Sequence, residues 1–326
     1  MIDLHLHLDG SLPPELLIKM AEIEGVSLPA EEEGELIPYL TAPEDCGSLN
    51  EYLEKFDLPV SCMQSRETLI LAAEGLVFEL AREGLLYAEI RFAPQQHTRK
   101  GLTQRQVVEA VAEGIRKGCE KTEFKAGLIL CCMRGGENQK ENEETIRLAK
   151  EFLGNGVCAV DLAGAEALFP TSGFQELLAL GKELSVPCTI PAGEAAGPES
   201  IRAALSFGAK RIGHGVGCVA DEALMEQMIR EKITLEVCVI SNLQTRAVPS
   251  EEDHPILKLL RRGMRVTVNT DNMTVSGTTL EKEFALLKKM GMTAQEQRQM
   301  LHYSAEAAFL PLEEREALKK AVDRCL

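Results

Sequence analysis

The chain has 326 residues, which is enough to bury a large core as two ordinary domains or as one large barrel. Hydrophobic residues make up 45% and charged residues 26% of the chain, a balance typical of a globular protein that excludes a disordered one. The 51 acidic residues outnumber the 35 basic ones, and the net charge of −16 argues against nonspecific binding to nucleic acid or anionic membranes, because phosphates would be repelled.

The first ten residues, MIDLHLHLDG, lack the basic start of a signal peptide, and no apolar run has the length of a membrane span. The ten cysteines are scattered, many of them inside apolar runs, and no CxxC pair occurs. Scattered thiols of this kind are typical of a reducing compartment rather than of a disulfide framework. We therefore expect buried, reduced cysteines and a cytoplasmic location.

Eight short apolar runs, separated by amphipathic segments, predict eight β-strands. In chain order they are IDLHLHL (2–8), LLYAEIRFA (85–93), AGLILCCMR (126–134), VCAVDLAG (157–164), VPCTIPA (186–192), RIGHGV (211–216), TLEVCVIS (234–241) and RVTVNTD (265–271).

The segments between these runs have apolar residues three and four positions apart, which predicts helices, among them 103–121, 141–154 and 221–232. Eight strands that alternate with helices predict an α/β fold, the (β/α)₈ TIM barrel. A doubly wound open sheet is the alternative. It usually has fewer strands and a glycine-rich phosphate turn after the first, and LHLDGSLPPE is not such a turn.

The connection between the first two predicted strands is unusually long. Residues 12–84 contain no strand pattern, only helical patterns interrupted by prolines. We interpret this segment as a helical insertion after the first strand that covers the barrel mouth, where it would form a lid or a wall of the substrate site. No linker separates the rest, so residues 1–326 are predicted to form a single barrel domain.

Chemically useful side chains follow several predicted strands, at the end where barrel enzymes carry their reactive groups. His5 and His7 are two positions apart and share one face of the first strand, with Asp9 after them. Neutral imidazoles on a rigid strand suit zinc, and Asp271, at the end of the eighth strand, strengthens a metal interpretation. A helix-capping role is the alternative for Asp271, because Asn272 follows it.

Two further strand ends carry groups for proton transfer. Glu194 follows the fifth strand, and His214 lies between two glycines on the sixth. The alternative for His214 is a core histidine with satisfied hydrogen bonds, although its flanking glycines leave space for a ligand. Asp161 ends the fourth strand, shortly before Gly164.

The motifs LHLHLDGSL, VDLAGAE, AGEAAGP, RIGHG, SNLQT and VTVNTDN, in this order, resemble the adenosine deaminase family of the amidohydrolase superfamily. The resemblance extends from residue 2 to residue 310 and includes YAEIRFAPQQH and HYSAEAAFL. It implies a (β/α)₈ barrel that holds one zinc ion. It also implies attack of an activated water on C6 of adenosine, which gives inosine and ammonia.

The resemblance also implies roles for individual residues. His5, His7 and Asp271 match zinc ligands of the family. Glu194 matches the glutamate that protonates the purine nitrogen N1, and His214 matches the histidine that orients the hydrolytic water. These roles agree with general chemistry, because attack on an aromatic carbon needs a strong nucleophile and a protonated ring.

Three substrate contacts follow in the same way. Gly164 matches the backbone donor to the purine, and Asp9 matches the carboxylate near the ribose. Asn272 stands where the family has a second aspartate that contacts the purine N7. This departure is mild, because the amide of asparagine can still donate to an acceptor nitrogen.

The larger departure is at the fifth strand, where the family pattern H-A-G-E contains a zinc ligand and this chain has P-A-G-E with Pro191. The remaining set, His5, His7 and Asp271, has the three protein ligands common in catalytic zinc sites. Either His214 or Glu194 could move in as a replacement. The alternatives are another divalent metal or an empty site.

Three functions therefore stay open. The first is hydrolytic deamination of adenosine or a related 6-aminopurine with an altered metal site. The second is a metal-free reaction on a purine nucleoside, such as cleavage of the glycosidic bond, and the third is a non-catalytic purine-nucleoside-binding protein. In each case the expected partner is a small purine nucleoside or base, with no nucleic acid and no membrane, and the oligomeric state is open.

Overall fold

Eight parallel strands alternate with helices along the chain in the computed structural model, which describes residues 1–43 and 46–325. The strands are β1 (Ile2–His7), β2 (Tyr87–Phe92), β3 (Ala126–Met133), β4 (Val157–Ala163), β5 (Thr189–Ala192), β6 (Arg211–His214), β7 (Thr234–Val237) and β8 (Arg265–Val268).

The α-helices of the described residues are α1 (Pro14–Glu24), α2 (Glu33–Leu40), α3 (Leu49–Leu53), α4 (Asp57–Ser61), α5 (Arg66–Arg82), α6 (Gln104–Thr122), α7 (Gln139–Phe152), α8 (Gln175–Glu183), α9 (Pro198–Ser206), α10 (Glu222–Arg230), α11 (Val239–Gln244), α12 (Ile256–Arg261), α13 (Leu280–Lys289), α14 (Ala294–Ala307) and α15 (Leu312–Cys325). None of them combines the length and the hydropathy that a membrane-spanning helix requires.

The strands form the barrel in chain order, as the sequence predicts. Strands β1 to β4 pair in parallel as one sheet, and β5 to β8 pair in parallel as another. A bridge between Val160 and Cys188 joins β4 to the approach of β5, and a bridge between Leu6 and Asp271 joins β1 to the residues after β8. The chain therefore has the (β/α)₈ TIM-barrel fold.

Every predicted strand is longer than the observed one, by one residue for β1, β3 and β4 and by two to four residues for the others. The clearest error is the run 234–241, because its strand ends at Val237 and Val239 already begins α11. The carboxylate of Glu283 accepts hydrogen bonds from the backbone nitrogens of Val239 and Ile240 at 3.0 and 3.3 Å, which satisfies the start of that helix. A buried apolar run does not by itself distinguish strand from helix.

The predicted insertion, residues 12–84, contains α1 to α5 and includes residues 44–45, which lie outside the described residues. Its last helix, α5, packs against α6 and α1 and so belongs to the outer layer of helices. The middle of the segment reaches the carboxyl ends of the strands, where Tyr52 and Phe56 line a cavity. The insertion therefore supplies a wall of this cavity together with one helix of the outer layer.

The barrel interior contains a buried ionic cluster in addition to its apolar core. Glu236 on β7 accepts hydrogen bonds from Arg91 Nη2 at 2.9 Å and from Arg211 Nε at 2.5 Å. Arg91 also bonds Asp161 at 2.7 Å, and Arg211 bonds Glu89 at 2.6 Å. These five side chains are essentially shielded from solvent, so each charge depends on its partners.

Replacement of Glu236 by glutamine should lower the free energy of unfolding by about 3–5 kcal/mol, because two buried guanidinium groups lose a shared counter-charge. Urea unfolding of parent and variant measures the difference. Glu314→Gln is the matched control, since Glu314 forms an exposed pair with Lys125 at 3.1 Å that should contribute less than about 1 kcal/mol. Equal losses in the two variants would contradict a stabilising role for the cluster.

Candidate active site

A cavity of about 80 Å³ lies at the carboxyl ends of the strands. The barrel side of its lining consists of His5, His7, Ala163, Gly164, Pro191, Glu194, His214, Asp271 and Asn272, and the insertion contributes Leu49, Tyr52, Leu53 and Phe56. The cavity therefore brings together all the predicted metal, catalytic and substrate residues except Asp9.

A larger cavity, of about 570 Å³, opens at the opposite end of the barrel, beside Arg265 and Phe309. Its lining does not include the predicted site residues. The smaller cavity is the candidate active site because barrel enzymes carry their chemistry at the carboxyl ends of the strands.

His5, His7 and Asp271 form a group whose ligand atoms all lie within 4.8 Å of one another. Oδ1 of Asp271 lies 3.4 Å from Nε2 of His5 and 3.6 Å from Nε2 of His7. The backbone of Asp271 donates to the carbonyl of His5 and accepts from the nitrogen of His7, each at 2.8 Å. The contact that joins β8 to β1 therefore also sets the distance between the three side chains.

Neighbouring side chains orient these potential ligands. Nδ1 of His5 lies 2.9 Å from Oε2 of Glu236. An ionised carboxylate can only accept, so Nδ1 carries a hydrogen and Nε2 is the ring nitrogen available to a metal ion. Nε2 of His5 is buried without a hydrogen-bond partner among the described residues. On the other side of the group, Ser241 Oγ donates to the second carboxylate oxygen of Asp271 at 2.6 Å. Such supporting contacts are typical of metal-binding histidines and carboxylates.

Pro191 lies beside the potential metal ligands, but its side chain has no atom that could bind a metal ion. It pairs with Gly213 across β5 and β6, and a Cβ atom on Gly213 would lie 2.9 Å from both the Pro191 ring and Cε1 of His5. The Pro191 ring is therefore a close neighbour of the His5 imidazole. Its carbonyl oxygen accepts a hydrogen bond from Arg134 at 2.7 Å.

Glu194 and His214 face each other across the cavity, with Oε2 and Nε2 3.6 Å apart. Thr245 donates to the other Glu194 oxygen at 3.1 Å. Burial, reinforced by the charges of Asp271 and Glu166, raises the pKa of Glu194 to about 8. The carboxyl group is therefore protonated at neutral pH and can act as an acid.

His214 is neutral at neutral pH, because burial lowers its pKa to about 4. Its Nδ1 lies 3.0 Å from the side-chain amide nitrogen of Asn242, and its backbone has a φ of +56°. The left-handed backbone is uncommon for a residue with a side chain. It turns the end of β6 so that the imidazole reaches the cavity.

The three predicted substrate residues have different surroundings. Gly164 has a φ of +108°, and it lines the cavity directly after β4. The amide of Asn272 donates to the hydroxyl of Tyr52 at 2.9 Å, and this hydroxyl also contacts Ser276 at 2.7 Å. Asp9 lies outside the cavity lining, but it is buried and its Oδ1 has no partner among the described residues.

Sequence reasoning missed several residues of the site. Tyr52 comes from the insertion, which contains no recognisable motif. Asn242 lies in the quoted motif SNLQT and Glu166 in the quoted motif VDLAGAE, so both could have been singled out there. Cys238 is a buried thiol whose sulfur forms a second potential ligand group with His5 and His214. It follows Glu236 by two positions, and alternate residues of a strand share one face, so this spacing was the available signal.

Comparisons with known proteins agree with this geometry. The family model described as "Adenosine deaminase" matches residues 1–325. The chain is 48% identical to an adenosine deaminase of Haemophilus ducreyi over 323 residues, which cover 98% of this chain and 94% of that protein.

Two solved structures are also similar over most of the chain. The adenine deaminase of Arthrobacter aurescens has a TM-score of 0.89 at 26% identity, covering 99% of this chain and 98% of that one. The N6-methyl-AMP deaminase of Arabidopsis thaliana has a TM-score of 0.84 at 26% identity, covering 99% of this chain and 96% of that one.

Proposed function

Because the chain belongs to the adenosine deaminase family, we propose that it catalyses hydrolytic deamination of adenosine or a closely related 6-aminopurine. The observation that carries the proposal is the convergence of His5, His7 and Asp271 with a protonated Glu194 in one cavity. A pure binding protein would not need a buried acid beside a group of potential metal ligands.

We propose that His5, His7 and Asp271 hold one divalent metal ion, with zinc as the best match. Two imidazole nitrogens and one carboxylate oxygen are ligands that zinc commonly uses, and three protein ligands are common in catalytic sites. The unpartnered Nε2 of His5 and the supporting contacts of Glu236 and Ser241 fit this role. When bound, zinc supplies the nucleophile by lowering the pKa of water to about 7.

The chain's own residues supply the proton transfers and the orientation of the substrate. Glu194 holds a proton at neutral pH, and its transfer to purine N1 makes C6 electrophilic. Neutral His214 lies 3.6 Å from Glu194, so it can contact a water that is held beside the carboxyl group. Tyr52 and Phe56 line the cavity on the side of the insertion, and the exclusion of bulk water by such side chains strengthens these electrostatic interactions.

The lining of the cavity favours a nucleoside or a free base over a nucleoside monophosphate. Within the described part of the chain, neither lysine nor arginine lines it, so a 5′-phosphate would find no counter-charge there. Asp9 lies outside the lining, but its buried Oδ1 has no partner among the described residues, and we propose that it accepts a hydrogen bond from a sugar hydroxyl when the nucleoside is bound. We therefore propose adenosine as the first substrate to test.

We also propose a cytoplasmic location, because the cysteines are scattered along the chain as free thiols.

A direct test measures the metal content of the purified protein and then compares adenosine, adenine and N6-methyl-AMP as its substrates. We expect ammonia release and an absorbance change from adenosine to inosine. Formation of free adenine from adenosine would instead indicate glycosidic cleavage. Thermal stabilisation by adenosine without turnover would indicate a binding protein and contradict the proposed deamination.

The pH dependence of the reaction should report the protonation of Glu194. Because its pKa is raised to about 8, the acid form is present at neutral pH and is lost as the pH rises through that value. We therefore expect kcat to fall on the alkaline side of pH 8, and a pH–rate profile measures this decline. A kcat that stays constant well above that pH would contradict the assigned proton donor.

A further inference from the structure

The carboxylate of Glu166, in the loop after β4, receives hydrogen bonds from the turn that carries Glu194. The donors are the backbone nitrogens of Gly193 (2.8 Å), Glu194 (3.0 Å), Ala195 (2.8 Å) and Ala196 (3.1 Å), together with the hydroxyl of Ser200 (2.5 Å). Four consecutive amides thus point at one side chain.

This arrangement is unusual for a segment outside regular secondary structure. Residues 193–196 lie between β5 and α9, so their amides have no strand or helix partner. Buried amides without an acceptor destabilise a fold, and a ring of them forms an anion site. The carboxylate of Glu166 fills that site from within the chain, and only 3% of the residue is exposed. The turn is therefore shaped around this carboxylate.

A chain of side-chain hydrogen bonds leads away from the Glu166 carboxylate and connects three loops. The hydroxyl of Ser200 contacts that of Thr171 at 2.7 Å, and Thr171 accepts from Arg134 at 3.1 Å. Arg134 also donates to the carbonyl of Pro191 in β5, two residues before the turn. The backbone on both sides of Glu194 is thus tied to the loops after β3 and β4.

We propose that Glu166 is a positioning residue for catalysis, which holds the 193–196 turn so that the Glu194 carboxyl faces His214 and the cavity. The inference rests on the proposed function. Glu166 does not line the cavity, so it acts on Glu194 through the backbone of the turn and through its charge, and not by contact with the substrate. Glutamine at position 166 would keep one oxygen but present an NH₂ group to some of the amides, so the turn would open.

The decisive experiment is a double-mutant cycle with adenosine as substrate. Glu166→Gln alone should lower kcat about 10²-fold, the cost expected when a catalytic group is misplaced by about 1 Å. KM and zinc content should stay close to those of the parent. In a Glu194→Gln background the same change should cost less than about twofold, because the group it positions is already lost. Glu166→Asp, which retains the carboxylate, should recover part of the lost activity.

A second readout does not depend on activity. Hydrogen exchange of the 193–196 amides should become faster in Glu166→Gln, while exchange in β1 to β3 stays as in the parent. Equal losses of kcat in both backgrounds, or unchanged exchange at the turn, would overturn the positioning role. A parent protein that deaminates none of the substrates would overturn the proposed function instead, and exchange alone would then decide whether Glu166 holds the turn.

Discussion

Replacement of Glu194 by glutamine is expected to reduce kcat for adenosine by about 10²- to 10⁴-fold, the range for loss of a general acid. Glutamine has the same size and can still accept the hydrogen bond from Thr245. It has no acidic proton to give to the purine ring, so the activation step at N1 is lost. Steady-state kinetics and metal analysis of both proteins measure the effect.

The control for this variant is Glu199→Gln, which changes an exposed glutamate at the start of the neighbouring helix α9. It should retain the parental kcat. If Glu194→Gln keeps its activity, the proton comes from another group. If it loses its metal as well, Glu194 is a ligand that compensates for Pro191, and the assigned division between acid and ligands is wrong.

Replacement of Pro191 by histidine is expected to tighten zinc binding by about 10²-fold. Four-ligand zinc sites bind with roughly 10–16 kcal/mol, so one ligand contributes about 3 kcal/mol. Geometry supports the change, because the Pro191 ring lines the cavity and shares Gly213 as a neighbour with the His5 imidazole. Competition with a chromogenic chelator measures the affinity, and kcat should rise when zinc is limiting.

Pro191→Ala separates the added ligand from the removal of the proline ring. It deletes the ring without providing a nitrogen, so its zinc affinity should stay near that of the parent. Equal affinities for the alanine and histidine variants would mean that an imidazole at position 191 does not reach the metal. The site would then depend on His5, His7 and Asp271 in a geometry that differs from the four-ligand pattern of the family.

Much of the fold could be predicted because strand and helix periodicities are local properties of the sequence. The strands β1 to β4 are long enough for their apolar runs to define them. The later strands are short, and their apolar runs continue into turns or, after Val237, into a helix. Periodicity over so few residues does not reveal where the hydrogen-bonding partner changes.

Site residues could be predicted where the potential ligands or catalytic groups lie together on one strand, as His5 and His7 do. Contacts between distant segments could not be predicted in this way. Tyr52 reaches Asn272 across 220 positions, and Arg91 reaches Glu236 across 145. Along the chain each of these residues is a single polar position, and only the closed barrel brings the partners together.

The small volume beneath Tyr52 and Phe56 has a kinetic consequence. At about 80 Å³ it has room for two or three water molecules of about 30 Å³ each, and it lies far below the roughly 300–1,000 Å³ of ordinary ligand pockets. A purine needs more room than this, so we expect the segment from Leu49 to Phe56 to move aside when the substrate enters. Such a movement would slow both substrate association and product release, and it would set a ceiling on turnover.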